Sequence, residues 1–281
     1  MDLTKAEKDL VIQEGAVPYL AKLFYDDWKL ENVAAYTLSN LSLTDNKRSI
    51  QILMNEGCIP ALITGINSSD FDTCDLSAYA IANLRYKSEE KFHEYIDSFL
   101  LPELVKLLKS PFENRQIVAA EVISLIASRI QWKAIFATEN IPLLVKFVDS
   151  SNSLMCKKAV EALFYLTTNK AFTDAYTLEA KNNIIVAGAI PYITKLLSST
   201  EHELISLSLS LLTNLSAGSN EHKQAVIQTL PNLVKLLSSS DNKICNEATL
   251  VILAVSCGTI DQKQAIINAG ACDYLLKYFQ H

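Results

Sequence analysis

Apolar side chains recur at i, i+3, i+4 and i+7 through Glu31–Leu43, Asp75–Tyr86 and Ile205–Ala217, the period of an amphipathic helix. Shorter amphipathic runs each open on a proline: Pro102–Leu108, Pro191–Leu197 and Pro231–Leu237. Proline suits a first helical turn, where its missing N–H costs nothing. These runs end in polar residues such as Ser198-Ser199-Thr200 and Ser238-Ser239-Ser240-Asp241, which offer N-caps to the next helix. A third kind of segment, Lys47–Asn55, Lys223–Gln228 and Gln262–Asn268, runs toward a glycine expected to close it in the left-handed region. The predicted unit is three helices in about 40 residues, without strands.

The unit repeats. Pro18, Pro60, Pro102, Pro142, Pro191 and Pro231 are separated by 42, 42, 40, 49 and 40 residues, and Asp273 continues the register. Gly15, Gly57, Gly188 and Gly270 each stand three residues before the repeat proline or its equivalent. Gly218 and Gly258, 40 apart, mark a second periodic position. The predicted repeats are 18–59, 60–101, 102–141, 142–190, 191–230 and 231–272, with partial units 1–17 and 273–281. The fourth is longer, with its surplus near Thr168–Asn183 expected to bulge at one edge.

These residues resemble the armadillo repeat family. Leu38-Ser39-Asn40-Leu41-Ser42, Asn46-Lys47 and Gly57-Cys58-Ile59-Pro60 look like its long third helix leading into the next unit. Thr213-Asn214-Leu215-Ser216 and Gly188-Ala189-Ile190-Pro191 repeat the signature. The resemblance covers nearly the whole chain and implies a right-handed all-α superhelix. It also implies a concave surface lined by the third helices.

An apolar content of 49 % and a mean hydropathy of +0.16 supply a continuous core. The net charge of −6 argues against a nucleic-acid partner, which needs clustered cations. Residues 1–140 hold 14 basic and 20 acidic side chains, and residues 141–281 hold 11 of each. The six cysteines form no CxxC and are read as reduced thiols. The N-terminus has no apolar signal segment and no apolar run is long enough to cross a bilayer. A cytoplasmic or nuclear location is expected, without membrane insertion.

No nucleophile elbow, phosphate-binding loop or zinc motif occurs. His93, His202, His222 and His281 fall at or near helix ends and loops, with no catalytic constellation around them. His93 with Glu94 reads as solvated surface, and paired acids such as Asp70/Asp72 read as inter-helix loops or helix first turns. No catalytic residue, metal site or cofactor is expected. The chain reads as a non-enzymatic scaffold.

What remains is the face of the long helices. Two positions four residues apart share a helix face, and in register they are Tyr36/Asn40, Tyr79/Asn83, Glu121/Leu125, Glu161/Tyr165, Ser210/Asn214 and Leu250/Ala254. In peptide-binding members of the family the second position is commonly Asn and the first often Trp. An Asn carboxamide can donate to a peptide C=O and accept from its N–H. Such an Asn could instead bond to a neighbouring unit, and the tyrosines could be core residues with their hydroxyls at the rim.

Glu121 and Glu161 suit a Lys or Arg of the partner, Tyr165 beside Glu161 favours a site that accepts a cation, and Arg85 with Lys87 makes the second unit locally basic. The expected function is capture of an extended partner segment of roughly 10–15 residues, at two to three residues per unit. Tyr replaces Trp here, and only three units keep Asn. That sets the chain apart from the family's nuclear-import receptors, which rely on Trp–Asn ladders and a basic autoinhibitory segment. A spacer or assembly subunit acting through its ends or convex face is the alternative, and a cargo adaptor for nuclear import is a special form of the first reading.

Overall fold

A computed structural model of the chain describes residues 3–26, 29–87, 93–127, 134–168, 175–272 and 274. Among the described residues the structure is all-α, with no strand. The chain divides into two compact units, Met1–Ile130 and Gln131–His281. The first holds α1 (Lys5–Gln13), α2 (Val17–Asp26), α3 (Glu31–Ser42), α4 (Lys47–Asn55), α5 (Cys58–Ile66), α6 (Phe71–Lys87), α7 (His93–Leu108) and α8 (Glu113–Ala127). The second holds α9 (Ala134–Val148), α10 (Ser153–Leu166), α11 (Ala175–Val186), α12 (Ala189–Leu196), α13 (His202–Ser216), α14 (Asn220–Val226), α15 (Leu230–Leu236), α16 (Asn242–Ser256) and α17 (Ile260–Asn268).

Helix starts are written in short polar side chains. Thr4, Asn46, Asn152, Asp241 and Thr259 each accept a hydrogen bond from a backbone N–H of the following first turn, satisfying donors that the helix itself cannot. Corners are written in glycine. Gly57 and Gly188 have φ of 79° and 80°, the left-handed region that side chains resist, and α5 and α12 begin immediately after them.

Glycine rather than proline decides whether a junction turns. Phe99 and Glu139 stand where glycine would precede Pro102 and Pro142, and there the chain runs on as one helix with proline inside α7 and α9. Gln228 takes the same place before Pro231, and α14 passes through a 3₁₀ turn at Ile227–Thr229 into α15. The expected three separate helices per unit is therefore corrected at these junctions. Proline alone is tolerated inside a helix for the loss of one hydrogen bond, whereas the left-handed residue reverses the backbone. Of the long fourth unit, residues 169–174 lie outside the description, so the expected bulge, with Phe172, is not placed.

In the first unit α3 packs on α6 and α6 on α8, with Leu38, Leu41, Ile81 and Leu84 fully buried. In the second, α10 packs on α13 and α13 on α16 over Leu163, Leu211, Leu215 and Val251. The long helices thus stand side by side within each unit, three in the first and three in the second.

Polar stitches run between them. At their N-terminal ends Asn32 Nδ2 donates to Asp70 Oδ2 at 3.0 Å, and Arg115 Nη2 donates to the Ser68 carbonyl at 2.8 Å. In the second unit Ser206 Oγ donates to Glu247 Oε1 at 2.7 Å and Lys157 pairs with Glu203 at 2.7 Å. Asp70 also accepts from Thr73 at its own helix start, so this acid works in stacking as well as capping.

Three cysteines carry an unforeseen regularity. The thiols of Cys74, Cys156 and Cys245 donate to the carbonyls of Ile66, Val148 and Leu237, each eight residues earlier. They close the preceding helix end from the first turn or two of the long helix. Burial pushes the Cys74 and Cys156 thiols up to about 11, which keeps them protonated donors.

Candidate functional site

In the first unit α3, α6 and α8 present Tyr36/Asn40, Tyr79/Asn83 and Glu121/Leu125. Tyr36 is 49 % exposed and Tyr79 39 %, so neither ring is a core residue. Asn40, Asn83, Glu121 and Leu125 are half-buried. The two amides do different things. Asn40 Nδ2 donates to the Tyr36 carbonyl of its own helix at 3.2 Å. Asn83 Nδ2 donates across to Ser42 Oγ of the preceding long helix at 3.3 Å.

Arg85 does not lie on this surface. It is 3 % exposed, and two residues beyond Asn83 its side chain is turned about 200° from the face of Tyr79 and Asn83. Lys87 is committed too, donating to the Leu43 and Thr44 carbonyls at 2.6 and 2.9 Å and pairing with Asp45 at 3.1 Å. Cations are expected at the end of a preceding helix, where carbonyls lack partners. The expected local basicity of the second repeat is corrected: one of its cations is buried and the other caps α3.

In the second unit α10, α13 and α16 present Glu161/Tyr165, Ser210/Asn214 and Leu250/Ala254. Glu161 already has a cation, Lys158 at 3.4 Å one turn earlier on its own helix. Tyr165 meets Phe164 edge-on, with ring centroids 5.1 Å apart. Ser210 is half-buried. Asn214 Nδ2 donates to Thr167 Oγ1 at 3.2 Å and Thr168 Oγ1 at 2.9 Å, just past the C-terminal end of the preceding long helix. Leu250 is 51 % exposed. This face therefore offers less amide and more apolar surface than the first unit's.

One histidine has a buried role that its place near a helix end does not reveal. His222 is buried, 2 % exposed, and not part of a solvated surface. His202 is exposed and pairs with Asp241 at 3.0 Å. The side chain of His93 and all of His281 lie outside the description. Among the described residues, no cluster of His, Cys, Asp or Glu is placed to hold a metal ion, and no single helix is long and apolar enough to cross a membrane. An apolar recess of about 320 Å³ opens beside Ile252, Leu253, Ile266, Ile267 and Cys272 near the C-terminal end of the second unit. It holds no convergent polar groups of the kind a small-molecule site uses.

No protein-family model matches the chain. Among curated proteins it is similar to importin subunit alpha-6 of Arabidopsis thaliana, 25 % identical over 218 residues, which is 76 % of this chain and 39 % of that protein. It is also similar to importin subunit alpha-1b of Oryza sativa subsp. japonica, 22 % identical over 220 residues. The chain spans about two-fifths of the length of these relatives.

Among solved structures, an engineered protein aligns over 97 % of this chain and 66 % of its own with a TM-score of 0.81 and 26 % identity. A computationally designed armadillo repeat protein for modular peptide recognition aligns over 85 % of this chain and 99 % of its own, with a TM-score of 0.70 and 24 % identity. A designed armadillo repeat protein in complex with the peptide (KR)4 aligns over 85 % of this chain and 98 % of its own, with a TM-score of 0.72 and 25 % identity. The proline–glycine period, the side-by-side long helices and these alignments agree: the chain has the armadillo-repeat fold.

Proposed function

We propose that the chain is a non-enzymatic adaptor that holds an extended, Lys/Arg-containing segment of a protein partner across α3, α6 and α8. The observation that carries this reading is the exposure of Tyr36 and Tyr79 at one register on adjacent long helices, each with an Asn one turn on. Large exposed aromatics in register form a ready wall for an extended segment, and cations stack on such rings for about 0.5–1 kcal/mol each at exposed sites. With long helices 8–10 Å apart and peptide advancing about 3.3 Å per residue, three helices address roughly six to nine residues.

Glu121 supplies the carboxylate for a basic side chain, in the half of the sequence that carries the acidic surplus. A relative solved with (KR)4 supports the same charge preference. In the second unit a partner cation at Glu161 must displace Lys158, and Asn214 with Ser210 continues the amide and hydroxyl character there. Resemblance to importin alpha subunits makes a cargo adaptor between cytoplasm and nucleus one form of this function.

The test is binding of a labelled (Lys-Arg)4 peptide, read by fluorescence anisotropy at two ionic strengths. Tyr36→Ala with Tyr79→Ala weakens binding, and Glu121→Lys weakens it more at low salt than at high salt, since the attraction is screened. Affinity unchanged in both variants refutes the face as the site. It would shift attention to the apolar recess and the exposed Leu253 and Ile267 that line it, as an assembly surface would require.

A further inference from the structure

We infer that the seam between α11 and α14 is an acid-sensitive latch whose moving part is His222. The imidazole does two jobs at once. Its Nδ1 accepts a hydrogen bond from the Ser219 N–H at 2.9 Å, capping α14, and its Nε2 donates to Asn182 Oδ1 of α11 at 2.6 Å. Only the neutral ring with its proton on Nε2 satisfies both partners. A second proton would go to Nδ1, which faces a donor, so charging the ring removes the cap and turns an attraction into a clash.

The surroundings oppose that charge. From α11, Lys181 lies beside the ring at 1 % exposure, and from its own helix comes Lys223 at 9 %. Lys223 Nζ is held by the Gly218 carbonyl at 2.8 Å. The one acid acting on His222 among the described residues is Glu221, which is exposed. The other elements packed on α14, namely α13, α16 and the 3₁₀ turn, contribute no charged group against the ring.

Burial first and Lys181 second hold His222 below the ordinary histidine value. The sign follows. A group whose folded pKa is depressed lends stability above its unfolded value, near 6.5, and that stability is lost as pH falls through the folded pKa.

The next repeat carries the control. Gln262 stands 40 residues on, accepts from the Thr259 N–H at 3.0 Å and donates to the Asn220 carbonyl at 2.8 Å. It caps its helix and ties it to the previous one as His222 does, with a side chain that does not titrate. Gly218 and Gly258 precede the two capping residues, and a Cβ at either would run into His222 or Gln262. α14 packs on α13, the helix that presents Ser210 and Asn214, so opening the latch loosens the second unit's face.

The test uses the whole chain. Hydrogen exchange is measured at about pH 7.5 and about pH 5, on either side of the ordinary histidine value, and corrected for intrinsic rates. Amides of α14 and the facing part of α11 are expected to open several-fold more readily at the lower pH, while α3 and α6 hold. His222→Gln should abolish the difference. Identical protection at both pH values, or a response retained in His222→Gln, overturns the proposal. Should His222→Gln fail to fold, the imidazole proton resonance decides: its midpoint lies below the ordinary value and rises in Lys181→Met. A midpoint at or above that value, unmoved by Lys181→Met, also overturns it.

Discussion

Replacing Asn40 and Asn83 together by alanine separates capture from stacking. A carboxamide has two N–H donors and one carbonyl. The protein uses one N–H of each: Asn40 on its own helix and Asn83 on Ser42. One donor and the carbonyl of each remain for a peptide C=O and N–H. At a typical net value of about 1 kcal/mol per hydrogen bond, the double variant should weaken (Lys-Arg)4 binding by about 2 kcal/mol, roughly thirtyfold. The stack should lose less. The Asn83 bond is 3.3 Å long, at the weak end of the range, and Ser42 Oγ keeps its own donation to the Ser39 carbonyl at 2.6 Å. Ser42→Ala removes the same inter-repeat bond without altering either amide. Anisotropy for affinity and urea unfolding for stability are then read on the double variant, on Asn83→Ala alone and on Ser42→Ala. If Ser42→Ala weakens binding as much as Asn83→Ala, or the double variant binds as the parent does, the amides serve the stack and not the partner.

Two further outcomes follow from local geometry. Gly188→Val should destabilise by about 1 kcal/mol or more in thermal unfolding through φ alone, because a Cβ there meets no atom within 4 Å; an unchanged melting temperature would refute the left-handed corner. With an excess of a thiol-reactive disulfide at neutral pH, exposed Cys257 should react first and Cys58 last, since burial pushes Cys58 up to about 12; rapid modification of all thiols in the folded chain would contradict the packing.

The sequence made the repeat legible because proline and glycine act locally: each sets its own backbone wherever it falls. The expected left-handed Gly57 and Gly188 are observed. What escaped depends on how a side chain is aimed and on what meets it from another element. His222 reads as a loop-edge histidine until Asn182 is placed against it, although the matched pairs Gly218/His222 and Gly258/Gln262 were a visible signal. Arg85 looked like surface charge because it follows Asn83, yet two residues along a helix turn the side chain by about 200°. The thiol donations of Cys74, Cys156 and Cys245 were hidden because those residues recur in only some repeats. The tyrosines of the ladder were ambiguous for a physical reason: an aromatic at a helix edge suits both core and groove.

Asn83 and Asn214 at the ladder each meet a hydroxyl at the C-terminal end of the preceding long helix, and the pair is a design rule that can be tested by extending it. Ser42 lies six residues beyond Tyr36 and receives Asn83; Thr167 lies six beyond Glu161 and receives Asn214. Arg85 takes that place before Leu125, where there is neither hydroxyl nor amide. Ser216, six beyond Ser210, keeps the hydroxyl, but the ladder position of the next long helix is Ala254. Its Oγ donates to the Leu212 carbonyl at 2.7 Å, as Ser42 donates to its own helix, and retains acceptor capacity. Ala254→Asn should therefore place an amide against Ser216. The new bond offers about 1 kcal/mol, and the poorer helix propensity of Asn takes back about 0.7 kcal/mol, so the net gain is small and the coupling is the sharper reading. A double-mutant cycle of Ala254→Asn with Ser216→Ala should give about 1 kcal/mol of favourable interaction by urea unfolding. A coupling near zero would mean that Asn83 and Asn214 meet their hydroxyls by circumstance, and that the amides are there for the partner alone.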